Sequence, residues 1–398
     1  MLLNKPGVVK EKLAFLHTLL PKLDPRRLPN QTPPPQPSNP PRSSSAAPTH
    51  NFDILIGPRN GEGVYAVRVI GSPAGENPNP TYQPLPHGSI KDVLFYVQNL
   101  VAEREDMETL GRALFAFLFP PLVKALFDKS QPREGEGVLR IRLRWDSDAV
   151  LADLGRLPWE YVHDGRDFLA HKRTLSLTRF LHDNAPASLA APESLRILAV
   201  SAAPTNLPPL EKLADQQQLL EAAVAGQNKI ILKTVPHVTR GQLREAIEEF
   251  NPHVLHFDGH GRITAESGAL ALEEAGGLAD YVTAQELRVL LNSGPVRLAV
   301  LNGCETAAQP TNRDAAVQGV AAQLVAAGLP AVVGMQFALP DRIAPTFMRA
   351  LYRGLAANKP LDQTLTEARI ALYFDHKDKN FWALPALYLR VDDGRLFY

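Results

Sequence analysis

Apolar residues in this chain fall into two recurring patterns: short unbroken blocks, and longer stretches in which they return every three or four positions. From Leu195 onward the two alternate regularly. Blocks at Leu195 to Ser201, Ile230 to Val235, Val254 to Phe257, Val296 to Leu301 and Ala331 to Met335 predict strands. The stretches between them predict helices near Leu210 to Ala225, Arg240 to Phe250, Ala284 to Leu291 and Ala315 to Ala327. Continuous apolar strands separated by helices indicate an α/β fold, a mostly parallel sheet flanked by helices on both faces. In such sheets the chemistry sits at the carboxyl ends of strands.

Upstream the pattern is less regular. FDILIGP and GVYAVRVIG flank Arg59-Asn60-Gly61-Glu62 and predict a hairpin. Amphipathic helices are expected near Ile90 to Val101 and Met107 to Phe127, with strands at Val138 to Trp145 and Thr174 to Arg179. An Ala/Pro/Ser connector from Ala185 to Glu193 then marks a boundary. At the other end, Leu13, Leu16 and Leu20 recur at helical spacing in a segment too short to be a domain. Between Pro29 and Pro48, eight prolines sit among Ser, Asn and Gln, which predicts a semi-extended linker. The expected organisation is a helical segment over 1–28, a Pro/Ser-rich linker over 29–50, an upstream α/β region over 51–190 and a second α/β region over 191–398. The short helix is either a detachable partner-binding handle or a piece packed onto the body.

Composition narrows the function classes. The 398 residues include 42 Lys or Arg and 42 Asp or Glu. That neutrality argues against a nucleic-acid-coating or polybasic membrane surface. No stretch approaches the roughly 18 to 20 apolar residues of a membrane span, and MLLNKPGVVKEK lacks a secretory core, so a cytoplasmic location is expected. The chain has one cysteine, Cys304, which excludes an internal disulfide framework and a Cys-rich zinc site. Thiol chemistry, if present, is at Cys304.

Two predicted strand ends carry candidate chemistry. PHVLHFDGHGR ends in His260-Gly261, and RLAVLNGCETA ends in Gly303-Cys304. Parallel strands bring both ends to the same sheet edge. A free thiol is mostly protonated at neutral pH, and a nearby imidazole can take its proton or stabilise the thiolate. The backbone N–H groups of Gly261 and Cys304 are candidates to face a developing oxyanion. A Gly-Cys pair also suits a tight strand-to-helix turn around an inert thiol. The His-Gly pair roughly 40 to 50 residues upstream favours the catalytic reading, because caspases show that order and spacing.

HFDGHG followed by LNGCET resembles the His and Cys motifs of the CHAT domain, a caspase-like group related to separases. The resemblance extends through GVYAVRVIGSPAGE, LPWEYVHDGRDFLA and TLSLTRFL upstream. Downstream it continues through GVAAQLVAAGLPAVVGMQFALPD, FMRALYRGLAANKPLDQTLTEARIALY and FWALPALYLRVDDGRLF, covering about residues 51 to 398. It implies a caspase-like sheet with His260 as general base or imidazolium partner and Cys304 as nucleophile. The activity it implies is peptide-bond hydrolysis through a thioester, commonly in bacterial defence or cell death and under the control of a partner or fused module. No cofactor is implied. The alternative is a caspase-like adaptor that only binds partners through the N-terminal segment.

Residues two apart on a strand share a face, so Asp258 projects with His260, and Asn302 with Cys304. Asp258 and Asn302 are therefore candidates for the pocket that receives the residue before the scissile bond, where an acidic wall favours Lys or Arg. Asp258 can instead pair with a nearby Arg or cap a turn. Asp341, in ALPDRIAP, suits a helix N-cap, with a lesser pocket role open. Glu305 reads as a structural first-turn carboxylate, and AAQPTNRD as a loop beside the nucleophile. His253 and His256 differ by an odd number and face opposite sides of a strand, so no metal site is expected. No G-x-S-x-G elbow is present. Trp159, in PWEY, is expected to be a packing anchor.

Overall fold

Why the apolar blocks become neighbours is visible in the sheet. The computed structural model describes residues 48–85, 93–97, 99–133, 135–155, 157–181, 189–210, 213–263, 268–303, 313–336, 343–377 and 379–398, with the backbone alone for 152, 213–216, 262–263 and 313–318. The strands of the upstream region are β1 (Thr49–Arg59), β2 (Val64–Gly71), β3 (Thr81–Pro84), β4 (Val138–Trp145) and β5 (Leu175–Phe180). Those that follow are β6 (Leu195–Ser201), β7 (Ile230–Val235), β8 (Val254–Ile263), β9 (Gly268–Glu273), β10 (Ala279–Thr283), β11 (Leu298–Gly303), β12 (Ala331–Met335) and β13 (Pro385–Leu389). All join one sheet in the order β10-β9-β8-β11-β12-β13-β5-β4-β1-β2-β3, with β6 pairing β8 and β7. Seven of the twelve pairings are parallel, so the mostly parallel α/β architecture stands.

The sheet contains two parallel blocks of opposite direction. β6, β7, β8, β11 and β12 run one way. β1, β4, β5 and β13 run the other way, and the blocks meet where β12 and β13 pair antiparallel. The upstream and downstream regions thus share one sheet, and residues 47–398 form one compact unit.

Helices cover both faces. They are α1 (Arg104–Leu118), α2 (Pro121–Ser130), α3 (Asp148–Leu154), α4 (Leu213–Val224), α5 (Arg240–Phe250), α6 (Ala284–Leu291), α7 (Arg313–Ala326), α8 (Ala344–Ala356) and α9 (Leu361–Asp375). One face packs Val254, Leu298, Val300 and Val333 against Leu220 of α4, Phe347 and Leu351 of α8 and Leu365 of α9. The other packs Leu255, Phe257, Ala299, Leu301 and Val332 against α5, α6 and α7 through Leu243, Ile247, Leu287, Val320 and Leu324. That double cover is what the unbroken apolar strands require. Capping boxes start α5 at Thr239 with Gln242 and α6 at Thr283 with Glu286.

Local chemistry explains where the elements differ from expectation. The helix expected over Met107 to Phe127 is two helices, because Pro120 has no N–H to continue α1 and its ring blocks the preceding turn. The first hairpin forms around Asn60, whose Oδ1 accepts from Glu62 N and Val64 N, while Gly63 at φ 84° supplies the left-handed residue. Among the described residues no single helix is long and apolar enough to cross a membrane.

Buried charges tie the regions together. Glu160, after Trp159 in the PWEY turn, accepts from both Nη atoms of Arg179 in β5 and from Nη2 of Arg369 in α9. Gln336 Nε2, at the end of β12, donates to Glu160 Oε2 and to the Ala383 carbonyl, both at 2.7 Å. Arg140 of β4 makes a two-pronged pair with Asp362 of α9, at 2.9 Å for each contact. Trp159 itself is fully buried beside the rings of Phe117 and Trp145.

Candidate active site

β8 and β11 are adjacent and parallel. Their register pairs Asn302 with Asp258 and Gly303 with Gly259. β11 ends there. His260 is the next residue of β8, and Cys304 follows Gly303 in sequence. Cys304, Glu305 and the loop to 312 lie outside the described residues, as do Asp341 and the chain before residue 48, which holds the expected N-terminal helix and most of the linker.

β8 does not stop at His260-Gly261. It exchanges partners: Val254 to Asp258 pair with β6 and β11, and His260 to Ile263 pair antiparallel with β9. His260 therefore stands just beyond the carboxyl edge of β6 and β11 on a strand that β9 still supports. Such backbone support fixes an imidazole more firmly than a loop would.

His260 is 7% exposed. Its Nε2 lies 3.0 Å from the carbonyl oxygen of Pro208, in the segment after β6. A carbonyl only accepts, so Nε2 carries a hydrogen, and Nδ1 is the basic nitrogen of the neutral ring. Pro208 precedes Pro209, and both rings fix φ, so the carbonyl is borne on a stiff stretch of backbone.

Beneath the imidazole lies a buried polar layer. Asp258 is 2% exposed and Asn302 fully buried. Asn302 Nδ2 donates to Asp258 Oδ1 at 2.8 Å. His256 Nε2 stands 3.3 Å from Asp258 Oδ2, and its Nδ1 meets the Tyr352 hydroxyl of α8. Burial pushes that phenol well above its ordinary range, with the Asp258 charge adding to the effect, so it keeps its proton. Asp258 thus has His256 and Asn302 as neighbours, and the side chain of Arg262, a partner expected as an alternative, lies outside the described residues.

Two glycines belong to the site for different reasons. Gly261 is opposite Leu270 of β9 and half-buried. Gly259 lies under the Phe257 ring: a Cβ there would be 2.4 Å from Phe257 Cζ. The strand can only pass beneath that ring without a side chain.

A model of the CHAT domain matches residues 108–390. The chain belongs to the CHAT domain family. No curated protein matches it in sequence. Among solved structures, the complex of Porphyromonas gingivalis RgpB pro- and mature domains is similar over 79% of this chain and 78% of that one, at 11% identity and a TM-score of 0.43.

In this CHAT domain, two contributors to the site were not read from sequence. Pro208 is 52 positions from His260, and only the pairing of β6 with β8 brings it there. His256 and Tyr352 are 96 positions apart and meet through the packing of α8 on the sheet. The AAPTNLPPL run was a usable signal, because a proline-rich stretch directly after a predicted strand marks a stiff strand-end loop. Among the described residues no group of three or more His, Cys, Asp or Glu side chains is arranged to hold a metal ion.

Proposed function

We propose that this CHAT domain protein is a cysteine endopeptidase in which Cys304 is the nucleophile and His260 the base. The observation that carries the reading is the orientation of His260: buried at the strand edge, with Nε2 on the Pro208 carbonyl, in the strand whose neighbour ends one residue before the only cysteine. A backbone acceptor there does the work of a third catalytic group, holding the ring in one tautomer and steadying the imidazolium.

In the proposed reaction Nδ1 takes the thiol proton and the thiolate sulfur attacks the peptide carbonyl carbon. The carbonyl electron pair moves to oxygen, which the backbone N–H groups of Gly261 and Cys304 receive. Collapse of that adduct expels the amine, which takes the proton from the imidazolium and leaves a thioester. Water, deprotonated by Nδ1, then attacks the thioester carbon, and the thiol leaves with that proton restored. Asp258 and Asn302 form the floor of the proposed pocket, and Asp341 is a candidate for its rim. A partner protein, recruited through the N-terminal segment, is the proposed activator.

The test is cleavage of an unfolded protein, and of a library of peptides with varied residues before the cut. Activity is expected to vanish in Cys304→Ser and in His260→Ala. A preference for Lys or Arg before the cut is expected, and its loss in Asp258→Asn. Equal cleavage by wild type and Cys304→Ser would sink the proposal.

A further inference from the structure

We propose that Glu273 is a positioning residue and that the β9–β10 hairpin is a bracket setting the angle of His260; this rests on the peptidase reading above. The Pro208 carbonyl holds His260 only as well as its own segment is held. That segment leaves β6 at Ser201 and carries four fastenings before Pro208. Ala202 N donates to the Asp258 carbonyl at 3.0 Å, and Ala203 N to Glu273 Oε1 at 2.7 Å. Thr205 donates twice to the Gly277 carbonyl, from N at 2.8 Å and from Oγ1 at 3.1 Å. Asn206 Oδ1 accepts from Ala279 N at 2.9 Å. Three of the four are made to the hairpin or its tip.

The hairpin also flanks His260 directly, since Ala271 of β9 pairs with His260. One rigid unit therefore touches the imidazole's backbone and the loop that grips its ring. The unit is braced from outside: Arg240 of α5 forks onto Asp280 and reaches the Tyr281 carbonyl and Glu286. Gly277, at φ 76°, forms the turn that presents its carbonyl to Thr205.

Glu273 is the central piece. It is 7% exposed, its N–H donates to the Val238 carbonyl at 2.9 Å, and Oε1 also receives the exposed His237 at 3.0 Å. A buried carboxylate that accepts a backbone N–H at the root of a catalytic loop sets the direction in which that loop leaves the sheet. Displacement of the Pro208 carbonyl would turn the ring and, in the peptidase reading, misdirect Nδ1.

Alkylation of the single cysteine by iodoacetamide reads thiolate supply without knowledge of the natural substrate, and is measured in full-length protein from about pH 5 to about pH 9. His260→Ala is expected to slow alkylation near neutral pH. Glu273→Ala should lose about tenfold of the His260-dependent rate, with its profile moving toward that of an ordinary thiol, because small misplacements of a catalytic group are costly. Glu273→Gln, whose amide oxygen still accepts the Ala203 N–H, should stay within about threefold of wild type. The exposed double variant Thr205→Val with Asn206→Ala should slow in the same direction with an unchanged melting temperature, and it decides the matter if Glu273→Ala does not fold. Wild-type profiles in both Glu273→Ala and the double variant, beside a slowed His260→Ala, overturn the bracket and leave the peptidase reading standing. Glu273→Gln as slow as Glu273→Ala overturns the accepting oxygen as the cause. An unchanged profile in His260→Ala overturns the peptidase reading itself.

Discussion

Removing the Glu160 carboxylate should be among the most damaging single changes in this protein. Glu160 is 1% exposed and is the anion facing two fully buried guanidinium groups, Arg179 and Arg369. Arg179 keeps its bonds to the Gly155 and Leu157 carbonyls, at 3.1 and 2.9 Å, and Arg369 keeps Pro385 O at 2.7 Å. Among the described residues neither keeps a counter-charge. Arg369 already titrates low, at about 10, because burial opposes its charge more than Glu160 supports it. Breaking a buried pair from one side typically costs about 3 to 5 kcal/mol, against a stability of about 5 to 15 kcal/mol for a usual domain. Glu160→Ala should therefore lower the urea midpoint sharply, read by fluorescence of Trp145 and Trp159 nearby. Glu108→Ala is the control: it removes exposed pairs with Arg104 and Arg112 and should cost less than about 1 kcal/mol. Adding Arg179→Leu to Glu160→Leu should recover part of the loss, since the lone charge rather than the missing bond is the main penalty. If Glu160→Ala costs no more than Glu108→Ala, the account of this network as the tie between the two regions is wrong.

Three further outcomes are expected. Gly259→Ala forces the buried Phe257 ring aside and should cost about 1 to 3 kcal/mol by overpacking, with a slower Cys304 alkylation, because the displaced strand is the one bearing His260. His253 is held near a pKa of about 4 by burial and then by Arg196, and its Nδ1 accepts the Arg196 N–H. The unfolded chain takes up that proton first, so stability should fall as pH drops from about 6.5 toward 4, by up to about 3 kcal/mol, and His253→Asn should flatten that window in urea titrations. Deleting residues 1–46 should leave a cooperative melting transition, because Ala47–Tyr398 is a compact unit with its own core; a collapse of the transition would refute this.

Most strands visible to periodicity are buried on both faces, while Ile230–Val235, an edge strand paired only with β6, is half-buried and is still marked by its apolar run. Leu195–Ser201, Ile230–Val235 and Ala331–Met335 appear with the expected limits, and the two motif strands are neighbours in parallel register. The second half of β8 was illegible, because DGHGRI offers no apolar block and is held extended by β9. β9 and β10 were missed along with it, though their hairpin flanks His260 and fastens the Pro208 segment. The partners of His260, Asp258 and Glu160 are set by strand order, which a pattern along one chain does not contain.

Strand direction also limits what the upstream region can do. In an open parallel sheet, catalytic side chains gather where strands end. The strands carrying His260 and leading to Cys304 end at one edge, whereas β1, β4 and β5, in the opposite block, end at the other. The carboxyl ends of these three strands are therefore not on the site's edge. One route for the upstream block's influence is the antiparallel seam between β12 and β13. The groups that cross there are buried and polar: Glu160 reaches Gln336 at the end of β12, and Gln336 reaches Ala383 before β13. Gln336 thus joins the upstream Glu160 to the end of β12, and the activating partner proposed above would act through this link if it bound the upstream block. Gln336→Leu should weaken any activation that partner provides while leaving His260-dependent alkylation intact. Loss of both together would place Gln336 in the support of the site instead.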